Sequence, residues 1–149
     1  MKKYAHGTEV PVDRSKAEIE RILTNYGADQ YSAGWMQNRS VIMFRLEGKY
    51  IRIEMPLPVL EKASNGWEKQ KGHYYAQDAV DRETRRRWRA LVLYVKAKLE
   101  SVESDIVSFE EAFMAHIVLP NRQTVSQFMA PQIEAAYSKG DMPKALPGS

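Results

Sequence analysis

The sequence predicts a single-domain α+β fold: an N-terminal helix, a three-stranded antiparallel meander, a long basic helix packed on the sheet, and shorter C-terminal helices. Apolar residues recur at helical spacing near the N-terminus and again after residue 78. Between these segments, β-branched and aromatic residues form short runs separated by turn residues. The length, 149 residues, is that of one ordinary domain.

Four regions of this domain differ in composition. We expect the first helix and the sheet within about residues 9–59, a basic and aromatic loop over 60–77, a helical part over 78–140, and a frayed tail over 141–149. A loop of this length in a compact domain is typical of a functional or mobile segment.

The first helix has a start signal and a stop signal. Ser15 and Glu18 have the spacing of a capping box, which predicts a helix start at Ser15. Gly27 follows where a left-handed residue ends a helix. The apolar face between these signals consists of Ile19, Ile22, Leu23 and Tyr26.

Three strands are predicted over about 31–35, 41–46 and 49–55, and Glu47–Gly48 is a two-residue hairpin loop between the last two. This loop fixes the register. On the predicted buried face, which also carries Leu46 and Met55, Phe44 pairs with Ile51 and Ile42 with Ile53. On the other face the predicted pairs are Arg45–Tyr50, Met43–Arg52 and Val41–Glu54.

The rest of the chain is predicted to be mainly helical. A helix over about 78–103 has a core-facing stripe at steps of four and three, formed by Val80, Thr84, Trp88, Leu91, Val95, Leu99 and Val102. Ser108 and Glu111 form a second capping box that opens a helix to about His116, and residues 117–119 are extended. Thr124 caps a last helix, which Pro131 is expected to kink or restart and Gly140 to end.

Composition excludes several classes of function. Without cysteine there is no disulfide, thiolate nucleophile or Cys-ligated zinc site. The first residues lack the apolar run of a signal peptide, and the longest apolar run, 90–95, is too short to cross a bilayer. We therefore expect a cytoplasmic protein that does not enter a membrane.

No catalytic, cofactor or metal motif is recognisable. His6, His73 and His116 lack metal-ligand spacing, and the eight glycines form no phosphate-binding loop. Glu111 and His116 lie on different sides of a helix, so we interpret His116 as a helix-end residue. Catalysis by carboxylates that meet only in space remains open and ranks third among the hypotheses.

The strongest local feature is the arginine-rich start of the long helix. A helical period places five cations on one face: Arg82, Arg85, Arg86, Arg89 and Lys96. Guanidinium groups arranged in this way favour phosphate binding. The alternative is a solvated face neutralised by i,i+4 pairs, namely Asp78–Arg82, Asp81–Arg85 and Glu83–Arg87.

Two further groups combine cations with aromatic rings. The preceding loop carries Trp67, Lys69, Lys71 and Tyr74, and the outer sheet face carries Arg45, Tyr50 and Arg52. Rings beside positive charge are typical of surfaces that bind single-stranded nucleic acid. Nucleic acid, with single-stranded DNA favoured, is therefore the first partner predicted.

Two segments resemble a family of short, largely uncharacterised proteins of phages and prophages. They run over residues 10–20 (VPVDRSKAEIE) and 119–125 (LPNRQTV), the second followed by 129–134 (MAPQIE). The order of helix, three strands and helix is also similar to the double-stranded-RNA-binding domain, with Arg85–Arg87 near the start of the second helix, and to phage single-strand annealing proteins.

These resemblances imply a phage setting and a role in recombination or replication in the host cytoplasm. The alternative function is a protein-binding module that inhibits or redirects a host protein through Trp67, Tyr74, Phe128 and Met129. The sequence leaves the oligomeric state open, a homo-oligomer included.

Overall fold

The computed structural model describes residues 9–37, 39–58 and 73–142 of the chain. The fold is α+β, as predicted. Its elements are α1 (Val12–Asn25), β1 (Gln30–Met36), β2 (Arg39–Leu46), β3 (Lys49–Pro56), α2 (His73–Glu103), α3 (Phe109–Phe113), the 3₁₀ helix Met114–His116, and α4 (Val125–Lys139).

The sheet has the order β1-β2-β3 and the predicted register is confirmed throughout the β2–β3 hairpin. Glu47 and Gly48 both have positive φ, 52° and 76°, as the primed turn of a two-residue hairpin requires. The inner face is buried at every predicted β2 and β3 position except Met55, which is partly buried: Ile42, Phe44, Leu46, Ile51 and Ile53.

The first helix begins one turn earlier than the capping-box pattern predicted. Val12 is its first residue and Pro11 its N-cap, which suits a residue without an N–H. Ser15 therefore lies inside the helix, fully buried, and its hydroxyl has no hydrogen-bond partner. Glu18 reaches toward α2 and does not cap α1, so the predicted capping role of both residues is wrong. The predicted end is confirmed, with Gly27 at φ 103°.

The long helix also begins earlier than predicted, at His73 and not near Asp78, so that residues 73–77 are helical and not part of the loop. Its apolar stripe packs with α1 and the inner sheet face in one core. The fully buried ring of Trp88 lies in this core, with Val92, Val95 and Leu99 on successive turns. The rest of the predicted loop lies outside the described residues.

The C-terminal part carries two confirmed caps. Ser108 and Glu111 form a reciprocal capping box at α3, and Thr124 forms one with Gln127 at α4. Helix α4 is continuous through Pro131, so the predicted restart does not occur. Gly140, at φ 73°, ends α4 as predicted.

The extended segment before α4 attaches this part to the sheet. The N–H of Val118 donates to the carbonyl of Tyr50 over 2.8 Å, and Ile117 bridges Ile51. The C-terminal part therefore lies along the β3 edge, while α1 and α2 cover the inner face.

Candidate nucleic-acid interface

Helices α1 and α2 lie side by side and run in the same direction. Lys16 contacts the Trp88 ring, and Glu18, further along α1, contacts Arg89 and Lys96. The C-terminal turns of the two helices line a shallow pocket of about 440 Å³, between Ile22 and Tyr26 on one side and Leu99 and Glu100 on the other. The contacts thus proceed toward the C-termini of both helices together, as they do between parallel helices.

Glu18 lies between the two helices and binds two cations of α2. One carboxylate oxygen accepts from Arg89 Nη2, and the other lies 3.0 Å from Lys96 Nζ. Hydrogen bonds from Arg89 and then Lys96 lower the pKa of Glu18 from 4.5 to about 2, although desolvation acts in the opposite direction. The carboxylate therefore stays ionised at neutral pH and neutralises part of the predicted arginine row.

Two arginines of α1 join the same surface. Arg14 and Arg21 precede and follow Glu18 by four and three residues, which puts them on its side of the helix. Both are exposed. We define the basic seam as these two residues together with the α2 cations on the α1 side, which are Arg82, Arg85, Arg89 and Lys96.

Sequence reasoning missed Arg14 and Arg21. No pattern within α1 indicates that α2 lies beside it, because the Glu18–Arg89 contact joins residues 71 positions apart. The available signal was an acidic residue flanked by arginines on one helical face, opposite a second helix rich in arginine.

The N-terminal end of the seam is weakly neutralised. Arg82 lies 3.6 Å from Asp78, and both side chains are more than half exposed. The predicted Asp81–Arg85 pair does not form, because Asp81 accepts from Gln77 over 2.9 Å. The Nε atom of Arg85 is buried without a hydrogen-bond partner.

Arg86 is paired within α2, with Glu83. Glu83 binds Arg86 at 2.7 Å and Arg87 at 3.1 Å, so the predicted Glu83–Arg87 pair is confirmed. These arginines, Arg86 first, lower the pKa of Glu83 to about 2. Arg87 also donates to the Pro56 carbonyl over 2.5 Å. Arg87 therefore links α2 to the end of β3, while Glu83 neutralises Arg86 and Arg87 within the helix.

The second predicted surface, the outer sheet face, is also ion-paired. Arg45 donates to the exposed carboxylate of Asp29, which lowers the pKa of Asp29, and its guanidinium lies 6.0 Å from the half-exposed Tyr50 ring. Arg52 lies 3.4 Å from Glu54 and donates to Gln127 at 2.9 Å. Both predicted arginines of this face thus already have acceptors within the protein.

The predicted binding residues of the loop fall largely outside the described part of the chain. Trp67, Lys69 and Lys71 lie outside the described residues. Tyr74 lies in the first turn of α2, and its side chain is likewise outside the description.

The net positive charge of the chain belongs to segments that are not described. Within 9–37, 39–58 and 73–142, acidic side chains outnumber basic ones by one. The other segments contain six lysines, at positions 2, 3, 62, 69, 71 and 144, and two glutamates. Binding of a polyanion by the described fold must therefore depend on local clustering, and the basic seam is such a cluster.

No protein-family model, curated protein or solved structure matches this chain.

Other kinds of site find less support in the described part of the chain. There, no group of three or more histidine and carboxylate side chains could hold a metal ion. His116 ends the 3₁₀ helix and shares a 2.7 Å hydrogen bond with the Tyr94 hydroxyl. Burial, and then the nearby Lys98, lowers the pKa of His116. None of the described helices is both long enough and apolar enough to cross a membrane.

Proposed function

We propose that this protein binds nucleic acid through the basic seam, with single-stranded DNA as the favoured ligand. The observation that carries the proposal is the excess of cations along the two parallel helices. Six arginine and lysine side chains line the seam, and the carboxylates paired with them are Glu18 and Asp78. Guanidinium groups fixed on two neighbouring helices provide charged donors for successive backbone phosphates.

Glu18 has a definite role in this proposal. It binds Arg89 and Lys96 in the free protein and so holds both side chains at the junction of the helices. A phosphate oxygen that approaches the junction competes with Glu18 for the same donors. Binding is therefore weaker than the number of cations suggests, and it is sensitive to salt.

The preference for a single strand depends on the sequence before α2 and in its first turn. Trp67, Lys69, Lys71 and Tyr74 are close in sequence to the arginine-rich turns, and aromatic rings stack on unpaired bases. The resemblance of the sequence to phage and prophage proteins implies that such a protein acts in recombination or replication.

The test is a fluorescence anisotropy titration of a labelled single-stranded oligonucleotide at about 50 and 200 mM salt, with a duplex in parallel. The seam variant combines Arg14→Ala and Arg21→Ala, because both side chains are exposed and no ion pair among the described residues is lost. The control combines Arg39→Ala and Lys139→Ala, which remove the same charge elsewhere. We expect the seam variant alone to bind more weakly, with a salt slope reduced by roughly 0.7 per lost phosphate contact. No binding at the lower salt, or equal losses in both variants, would refute the proposal.

A second candidate, a protein-binding module, is favoured by the exposed apolar side chains of α4. Ile133 and Tyr137 are 47% and 87% exposed, and no residue of this helix is fully buried. Phe128 and Met129, predicted as contacts from the sequence, are half-buried. Affinity capture from nuclease-treated host lysate tests this candidate. A host protein retained by the wild type and lost with Tyr137→Ala supports it, and equal capture by both counts against it.

A further inference from the structure

The two edges of the sheet differ in how they are protected. At the β3 edge, Val118 covers Tyr50, the side chains of Arg52 and Glu54 are charged, and Pro56 ends the strand. Charge, proline and a covering segment are the usual means by which proteins block edge pairing. The β1 edge has none of these: the seven residues Gln30–Met36 include no charged side chain and no proline, and no described segment pairs with their outer side.

The register shows which backbone groups point out from β1. The Tyr50 carbonyl points away from β2, since it accepts from Val118. The N–H and C=O groups of successive residues point to opposite sides of a strand, and the backbone groups of two paired residues either point toward each other or both point away. The backbone groups of Arg45, which pairs with Tyr50, therefore point toward β1. The Asp29 N–H donates to the Arg45 carbonyl, which agrees with this direction. The backbone N–H and C=O groups of Gln30, which pairs with Arg45, therefore point back toward β2.

By the same alternation, the next residue and every second one after it direct their N–H and C=O groups outward. These are Tyr31, Ala33 and Trp35. Their side chains lie on the inner face of the sheet, opposite Phe44, Ile42 and Ser40. Trp35 is nevertheless 76% exposed, and the next residue, Met36, is 61% exposed. Among the described residues, the edge thus combines unpaired backbone groups with an uncovered aromatic ring.

We propose that β1 pairs antiparallel with β1 of a second copy of this chain, about a two-fold axis at Ala33. This register uses all seven residues of the strand. Ala33 faces Ala33 of the second copy, Tyr31 faces Trp35, Ser32 faces Gly34, and Gln30 faces Met36. The outward-pointing residues then form hydrogen-bonded pairs, each of which exchanges two N–H···O=C bonds.

The chemistry of the strand favours a second copy over an unrelated peptide. Because β1 carries no charge, self-pairing places no like charges opposite each other, which would otherwise destabilise the pair. The register also brings the exposed indole of Trp35 against the ring of Tyr31, and aromatic cross-strand pairs stabilise sheets. Gly34 has open space beside it on the outer face, so it accepts Ser32 of the second copy without a clash.

Self-pairing would make one six-stranded sheet. An axis perpendicular to the sheet puts α1 and α2 of both copies on the same side, so both basic seams would face the same way. The inference does not rest on nucleic-acid binding, and its test needs no nucleic acid.

The experiment measures the mass of the full-length protein by sedimentation equilibrium from low to high micromolar concentration. We expect the wild type to reach twice its 17.1 kDa chain mass. Ala33→Pro removes an outward N–H that the β1–β2 ladder does not use, and proline is tolerated at such edge positions. Trp35→Lys adds a charge at the edge and removes the ring. Both variants should remain monomeric, while the control Tyr137→Lys, at an 87% exposed position of α4, should dimerise as the wild type does.

A wild type that stays monomeric at the highest concentration overturns the proposal. So does a dimer that survives both edge substitutions. Amide hydrogen exchange on the wild type tests the same contact without a variant. The Ala33 amide should exchange at least about tenfold more slowly in the dimer than in the monomer, whereas the Ser32 amide, already bonded to β2, should change little. Equal Ala33 rates in monomer and dimer would place the interface elsewhere.

Discussion

Replacing Glu18 by glutamine should lower stability and raise affinity for single-stranded DNA, because the same carboxylate holds the seam cations and neutralises them. The shift of its pKa from 4.5 to about 2 sets an upper limit of about 3.5 kcal/mol on its contribution, at about 1.4 kcal/mol per pH unit. The Glu18 and Arg89 side chains are each 19% exposed and Lys96 is 50% exposed. Screening by solvent reduces the expected loss to about 1–2 kcal/mol.

The stability effect depends on pH in a defined direction. The folded protein keeps this carboxylate ionised to a lower pH than the unfolded chain does, so its contribution is complete above pH 4.5 and disappears as the pH falls toward 2. Urea unfolding should therefore show Glu18→Gln less stable than the wild type at neutral pH, and the difference should shrink below pH 4.5.

The affinity effect has the opposite sign. Removing one negative charge about 7 Å from a bound phosphate changes the binding free energy by about 0.6 kcal/mol at the dielectric constant of water, or roughly threefold in affinity. Glu20→Gln is the matched control, since Glu20 is an exposed acid of the same helix outside the seam. Anisotropy titrations at low salt measure both variants. Tighter binding by both to the same degree would indicate a net-charge effect, and weaker binding by Glu18→Gln would refute the role of Glu18.

Three further substitutions test the fold around the seam. Ser15→Ala should stabilise the protein by about 1 kcal/mol in urea unfolding, because the fully buried hydroxyl has no partner and alanine favours helix; a loss of stability would show that the hydroxyl is satisfied. Thr124→Ala should cost about 1 kcal/mol and speed proteolysis within α4, since the hydroxyl accepts from Gln127 N–H at 3.1 Å; unchanged cleavage would show that α4 does not need its cap. Burial lowers the pKa of His116 from 6.5, so stability should fall as the pH drops below 6.5, and His116→Gln should abolish that fall in unfolding curves recorded across this range; the same pH dependence in the variant would assign it to another group.

The hairpin was predictable because local rules decide it. A two-residue loop at Glu47–Gly48 leaves one register that buries Ile42, Phe44, Ile51 and Ile53 together, and a slip by one residue would put the residues of one strand on the opposite face from those of the other. The stripe of α2 was predictable for the same reason, since a helical period fixes which side chains share a face.

The starts of α1 and α2 and the pairing of Arg89 and Lys96 with Glu18 depend on contacts that no local pattern encodes. Ser15 and Glu18 have the spacing of a cap, but tertiary packing buries the serine and directs the glutamate to Arg89. The arginine row was correctly placed on one helical face. The Glu83 pairs follow from the helical period of α2, and Glu83–Arg87 was predicted from it. The Glu18 pairs follow from the arrangement of the two helices, which a helical period does not reveal.

The most direct test of the proposed interface is a map of backbone amide chemical shifts during titration with a short single-stranded oligonucleotide. The proposal predicts the largest changes in α1 around Arg14–Arg21 and in α2 around Arg82–Lys96, with the outer face of β2 and β3 and the exposed face of α4 little changed. Largest changes on the outer sheet face or α4, or no changes at low salt, would contradict it.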